Sequence, residues 1–299
     1  MAKILHKTQL SKTVFAMRLH APLIAEERKA GQFIMLQIDE DYGERIPLTI
    51  ADADVQEESI TIIFQTVGKT TQQLAQLNVG DEVPVLVGPL GKPSVIEKVG
   101  RVVCVGGGIG VAPLHPVVQA LKAAGNRVDV IMGARSADLL ILEEEMRQLA
   151  NDLVICTDDG SAGRKALVTE PLREMCEEDD APDLVVAIGP PVMMKFCSET
   201  TRPFGIRTMV SLNTIMVDGT GMCGGCRVNV GDEVKFVCVD GPEFDGHLVD
   251  FDNMIKRLGA YKNLESESWN EYQQSPHAHP RGQDHNCKMN ALADEKAEK

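Results

Sequence analysis

With 299 residues the chain exceeds what one small core organises, so two or three compact units are expected. Apolar residues make up 43% but aromatics only 4%, which leaves the cores to Val, Ile, Leu, Met and Ala. A formal net charge of -14, with no Lys/Arg-rich segment to reverse it, repels phosphates and anionic headgroups and excludes nucleic acid and membrane surfaces as partners.

The first ten residues alternate polar and apolar side chains without the continuous apolar core of a signal peptide. The most apolar run, 102–114, is broken by glycines and too short to span a bilayer, so the cytoplasm is the expected location. Residues 1–97 carry short β-type runs at 13–19, 32–38, 46–51, 59–67 and 82–87, a spacing that predicts a small antiparallel β-barrel. The one helix-like stretch there is 70–77. Arg45, Pro47, Leu48 and Thr49 put a cation and a hydroxyl on a strand, and Gly68, Thr70 and Thr71 offer N–H groups and hydroxyls to a phosphate. A solvated strand edge followed by a helix N-cap explains the same residues.

From Arg101 the pattern changes. Continuous apolar runs at 102–105, 128–132, 153–156 and 184–188 alternate with helical segments such as 114–124 and 142–149. This predicts a parallel α/β sheet over residues 98–205, wound by right-handed crossovers. The first strand runs into Gly106, Gly107, Gly108, Ile109 and Gly110 at the opening of a helix, where a pyrophosphate approaches backbone N–H groups. By itself such a turn also serves packing. Later turns at strand ends, carrying Arg135, Asp158 with Asp159, and Gly189 with Pro190 and Met193, converge on the same end of the sheet. Acidic groups near a ribose disfavour a 2′-phosphate and lean toward NAD(H) over NADP(H), while Arg164 and Lys165 pull the other way.

Residues 206–250 are rich in Gly and Cys, and a metal site is the easiest way to stabilise so short a segment. Asp218 precedes Cys223 by five positions, Cys226 follows three later, and Cys238 comes after eleven more residues. Plant-type 2Fe-2S sites place a cysteine where Asp218 stands, and a carboxylate supplies the same anionic donation to iron. The three thiolates with His247 also suit a structural zinc, and Cys223 with Cys226 a redox dithiol. Cys104, Cys156, Cys176 and Cys197 lie in apolar segments and read as reduced core thiols. Residues 251–299 read as a polar C-terminal extension with a short helix near 252–258. His277, His279, His285 and Cys287 there match no ligand pattern.

The order of these motifs resembles the ferredoxin-NADP reductase superfamily over about residues 5–250. The cysteine segment is similar to that of its sulfide/dihydroorotate dehydrogenase-like branch. One aspartate with three cysteines looks most like the small subunits of NADH-dependent reduced ferredoxin:NADP oxidoreductases. The resemblance implies a 2Fe-2S cluster on Asp218, Cys223, Cys226 and Cys238, and FAD along Arg45, Pro47, Leu48, Thr49, Gly68, Thr70 and Thr71. It implies a nicotinamide nucleotide flanked by Gly107, Gly108, Ile109, Gly110, Gly189, Pro190 and Met193. It further implies a larger iron-sulfur flavoprotein partner subunit, exchange with ferredoxin through that complex, and flavin-based electron bifurcation. One departure is that three residues separate Arg45 from Thr49 and Leu48 replaces the usual aromatic. The rival readings are the electron-transfer subunit of dihydroorotate dehydrogenase B or sulfide dehydrogenase, and a zinc-stabilised nucleotide-binding regulator without catalysis.

Overall fold

The computed structural model describes residues 1–39 and 43–274. Met1–Ala260 form one compact unit, and the described residues from Tyr261 to Gln274 belong to a second.

The chain opens with β1 (Ala2–Gln9), β2 (Val14–His20), α1 (Pro22–Glu27), β3 (Phe33–Gln37), β4 (Arg45–Asp54), β5 (Ser59–Gln65), α2 (Lys69–Gln76), β6 (Glu82–Val83) and β7 (Val85–Leu90). Paired antiparallel in the order β6-β1-β2-β5-β4-β3-β7, the strands make the expected barrel, nearly closed. The alternation of the first ten residues is that of β1, with Ala2 and Ile4 turned into the core. A second helix, α1, joins the expected one; Pro22 sits in its first turn, where a missing N–H is harmless.

The sheet region follows as β8 (Arg101–Gly107), α3 (Val111–Ala123), β9 (Arg127–Ala134), α4 (Glu143–Leu149), β10 (Asp152–Thr157), β11 (Arg164–Lys165), α5 (Thr169–Cys176), β12 (Leu184–Ile188), α6 (Pro191–Thr201) and β13 (Arg207–Ser211). The strands read as unbroken apolar runs because both faces are covered. Val103 and Val105 of β8 face one core with Leu172 and Met194, while Val102 and Cys104 face the other with Leu114 and Leu121. Helix α3 also packs on β4, and Val14 and Ile63 of the barrel join its core, so one helix fastens barrel to sheet.

The sheet does not stop at residue 205. Strand β13 pairs parallel with β12, and β16 (Glu243–Asp245) pairs antiparallel with β13. Arg207–Ser211 lacks a continuous apolar run because only alternate residues are buried, which hides it from a pattern built on buried strands. Between these strands lie the cysteine loop, the hairpin β14 (Arg227–Val230) with β15 (Glu233–Phe236), and the one-turn α7 (Val237–Asp240). Beyond β16, α8 (Phe251–Leu258) is capped by the Asp250 carboxylate, which accepts from Asn253 N–H at 3.0 Å. It buries Phe251 and Met254 against α6 and β14, so this stretch belongs to the main unit. In the second unit, α9 (Lys262–Gln274) is helical. Residues 277, 279, 285 and 287 lie outside the described residues.

Cys104, Cys156, Cys176 and Cys197 are buried and unpaired, and burial pushes the Cys176 thiol to about 11 and the Cys197 thiol to about 12. Among the described residues no helix is long and apolar enough to cross a membrane.

Candidate cofactor cleft and cluster loop

A cleft of about 1130 Å³ opens between the barrel and the carboxyl ends of the parallel strands. Pro47, Leu48 and Thr49 of β4 line it from the barrel side. Gly107, Gly108, Ile109 and Gly110 line it from the turn between β8 and α3, so the positive amino-terminal end of α3 lies at the cleft. Arg135 follows β9, Asp158 follows β10, and Gly189, Pro190 and Met193 follow β12, all on the same cleft. Two of these turns touch backbone to backbone. A Cβ on Gly189 would stand 3.1 Å from Gly107 Cα and 2.8 Å from Met193 Cε, and a Cβ on Gly107 would run into Met193 Sδ. Glycine at both positions is therefore a condition of the close approach that shapes this wall.

Five expected residues do not line the cleft. Arg45 donates through Nε to Gln37 Oε1 at 3.2 Å, and Thr70 Oγ1 donates to Glu44 Oε2 at 2.6 Å. Thr71 Oγ1 accepts from Gly68 N–H at 3.2 Å and so caps α2; Gly68 itself adjoins Val67, which does line the cleft. Asp159 accepts from Ser161 N–H at 2.9 Å and from its hydroxyl, bonds that hold its carboxyl below the usual range. The sequence reading in turn missed a whole wall: Leu212, Asn213, Thr214, Met216 and Pro242 also line the cleft. They follow β13 or precede β16, so the rule that ligands sit beyond strand carboxyl ends applies to them once β13 is recognised.

That wall leads directly into the cysteine loop. Thr214 Oγ1 donates to the Cys226 carbonyl at 3.5 Å. Cys226 and Cys238 are both 1% exposed, their sulfurs 3.3 Å apart, close enough to share one iron. Cys238 N–H points at Cys226 Sγ and Gly225 N–H at Cys223 Sγ, each at 3.5 Å, as donors to anionic sulfur do. Asp218 closes the loop: Oδ1 accepts from Thr220 N–H at 2.6 Å and Oδ2 from Cys223 N–H at 2.7 Å. The Thr220 bond leads in holding its carboxyl below the ordinary carboxylate range, and Oδ1 accepts a second bond from the Thr220 hydroxyl at 3.3 Å. Gly219 sits at φ +79°, and a Cβ there would be 2.6 Å from Met35 Cγ of β3, so the loop lies hard against the barrel. Cys223 is exposed and Met222 is 88% exposed, leaving this edge of the loop open to solvent.

These residues fit a 2Fe-2S cluster. Among the described residues no three His, Cys, Asp or Glu side chains converge on one point, but such a cluster takes two protein ligands per iron, and Cys226 with Cys238 is such a pair. The fourth donor of the zinc alternative is engaged elsewhere: His247 Nε2 lies 2.9 Å from Thr201 Oγ1. Burial and the adjacent Cys226 sulfur push the Cys238 thiol to about 12, and a metal held there would take the place of its proton.

Comparison with known proteins accords with this layout. Residues 213–250 match the iron-sulfur cluster binding domain of dihydroorotate dehydrogenase B, and residues 104–199 match the oxidoreductase NAD-binding domain. A Thermotoga maritima protein described as a homolog of the dihydroorotate dehydrogenase B (NAD(+)) electron transfer subunit is 45% identical over 270 residues, covering 90% of this chain and 95% of that one. The chain belongs to this branch of the ferredoxin-NADP reductase superfamily. Another member, the dihydroorotate dehydrogenase B electron transfer subunit of Shouchella clausii, is 34% identical, covering 81% of this chain and 94% of its own. Among solved structures, a chain of NADH-dependent reduced ferredoxin-NADP oxidoreductase, studied for flavin-based electron bifurcation, superimposes with a TM-score of 0.86 at 44% identity. That match covers 92% of this chain and 98% of the other. Within the superfamily this chain thus joins an NAD-binding oxidoreductase domain to an iron-sulfur cluster binding domain.

Proposed function

We propose that this chain is the FAD- and 2Fe-2S-bearing electron-transfer subunit of an electron-bifurcating NADH-dependent ferredoxin:NADP oxidoreductase, exchanging electrons between NAD(H) and a larger iron-sulfur flavoprotein subunit. One observation carries the reading: Thr214 lines the cleft and bonds the backbone of Cys226, so the flavin and nucleotide cleft and the cluster loop share a wall. Bound FAD accepts electrons in pairs and releases them singly, which suits a one-electron cluster beside it.

In this reading Pro47, Leu48 and Thr49 hold the flavin while the Gly107–Gly110 turn and Gly189, Pro190 and Met193 hold the dinucleotide. Asp218, Cys223, Cys226 and Cys238 are the cluster ligands. NAD(H) is favoured over NADP(H) because Asp158 lines the cleft while Arg164 is held by both oxygens of Glu174, at 2.6 and 2.7 Å. The exposed edge at Met222 and Cys223 faces outward, where electrons leave for the partner and, through it, ferredoxin. Unpaired thiols throughout the core suit the reducing cytoplasm.

Anaerobic purification with iron, sulfide and FAD assays tests the reading, with one flavin and one cluster per chain expected and iron-free, colourless protein refuting it. A second reading, the dihydroorotate dehydrogenase B subunit, is favoured by the named relatives. Dihydroorotate oxidation by the purified complex, against coupling of NADH to NADP and ferredoxin, separates the two.

A further inference from the structure

The turn between Cys223 and Cys226 is held by two arginines, neither of them among the four expected ligands. Arg227 Nη1 donates to the Gly224 carbonyl at 3.1 Å, and Arg257, reaching over from α8, donates through Nη2 to the Gly225 carbonyl at 3.2 Å. Each carbonyl shares its peptide group with the next residue's N–H. The Gly224 carbonyl is thus bonded to the nitrogen of Gly225, whose N–H donates to Cys223 Sγ at 3.5 Å. A cation on the oxygen side of a peptide draws electron density outward and strengthens the N–H on the other side as a donor. Both guanidiniums remain charged at any working pH. Among the described residues neither has a carboxylate within ion-pairing distance, so the charge is not cancelled locally.

We propose that Arg227 and Arg257 are positioning residues that raise the reduction potential of the cluster held by this loop. The inference rests on the 2Fe-2S reading above. Reduction adds a negative charge to a centre whose protein ligands are all anionic, and net charge, hydrogen bonds to sulfur and solvent exposure set the potential of such clusters. Two fixed cations on the turn stabilise the reduced form through net charge, and Arg227 acts also through the Gly225 N–H that donates to Cys223 Sγ. Arg257 is partly buried and Arg227 exposed, so solvent and salt screen Arg257 less. Helix α8 thereby gains a purpose: its buried Phe251 and Met254 hold the arginine in place.

The test is a redox titration of the cluster's electron paramagnetic resonance signal in the full-length holoprotein, with iron and sulfide counted on each sample. Arg257→Gln is expected to lower the equilibrium constant for reduction about tenfold, a shift of about 59 mV to more negative potential for one electron. Arg227→Gln is expected to give about a threefold change of the same sign. Arg257→Lys, which keeps the charge, should stay within about twofold of the wild type. Unchanged potential in a fully loaded Arg257→Gln chain overturns the inference, as does an Arg257→Lys shift as large as that of Arg257→Gln. If Arg257→Gln fails to retain iron, Arg227→Gln decides by the same criterion. Wild-type protein without iron and sulfide would instead refute the cluster reading itself, so the two failures are distinguishable.

Discussion

The parallel sheet and the cysteine loop are neighbours in the fold, yet they keep their shape by different means. In the sheet, β8, β9 and β12 are buried on both faces, and removing one side chain leaves a continuous core. Between Asp218 and Cys226 the loop has little apolar content of its own, and it is shaped by hydrogen bonds to Asp218, by contact with Met35 and by two outside arginines. Regions held by packing tolerate chemistry nearby; regions held by ligation depend on it.

The sharpest way to break this contrast is to remove a proposed ligand. Cys226→Ser should cut bound iron and sulfide at least about tenfold, since a buried hydroxyl is a poor substitute for thiolate. Hydrogen exchange should rise across residues 213–250 while residues 101–134 stay protected and FAD is retained. Equal loss of protection in both segments would show that the sheet depends on the cluster as well.

The sheet has its own weak point, an ion network under its amino-terminal edge. Arg101, 5% exposed, donates to Asp129, 0% exposed, at 2.8 Å and to Glu178 at 2.6 Å. Arg101→Leu strands the Asp129 carboxylate, although Arg127 at 3.3 Å offsets part of the loss. A cost of about 3 kcal/mol is expected, read as a lower urea midpoint, with the iron content of the folded protein unchanged. A smaller effect is expected at the cleft. Gly189→Ala must push Met193 and the Gly107 turn aside, an overpacking worth about 1–3 kcal/mol. NADH affinity should fall about tenfold, equivalent to about 1.4 kcal/mol, with FAD content unaffected. Unchanged NADH affinity would detach this pair of turns from nucleotide binding.

The barrel and the sheet strands β8, β9, β10 and β12 were legible because alternating and continuous apolar patterns are local signals, strong wherever a strand is half or wholly buried. Strand β13 escaped because Arg207–Ser211 is short and one of its two buried residues is the polar Thr208, which leaves no apolar alternation to read, and the cleft wall at 212–216 escaped with it. The spacing of Asp218, Cys223, Cys226 and Cys238 was plain in the sequence because a cluster loop is defined by short separations. Arg257 was invisible for the opposite reason: it reaches Gly225 across 32 positions, and nothing in a polar helix tells which of its cations will touch a distant carbonyl. Thr70 and Thr71 show the converse, since a hydroxyl near a glycine binds a neighbouring carboxylate, as Thr70 does, or caps a helix, as Thr71 does, as readily as it binds phosphate.

The seam between the two regions carries the smallest predicted effect. Glu243 on β16 shares a small cavity of about 20 Å³ with Val117, Leu121, Leu184, Val186 and Met209, and it accepts a hydrogen bond from Ser94 Oγ. Arg207 lines the same cavity but pairs with Glu97 at 3.9 Å. Burial pushes the Glu243 carboxyl above its ordinary value, and the Ser94 bond opposes this only in part. Between the ordinary value near pH 4.5 and its raised folded value, Glu243 binds a proton in the folded chain that the unfolded chain has released. This contribution to stability is complete below the ordinary value and is lost as pH rises through the folded value. Glu243→Gln keeps an acceptor for Ser94 and does not titrate. Its urea midpoint should rise relative to wild type as pH goes from 5 to 8 and level off once the wild-type carboxyl is ionised. Parallel curves across that range would mean that Glu243 is already ionised in the folded chain, and the edge strand beyond the cysteine loop would then carry a buried charge.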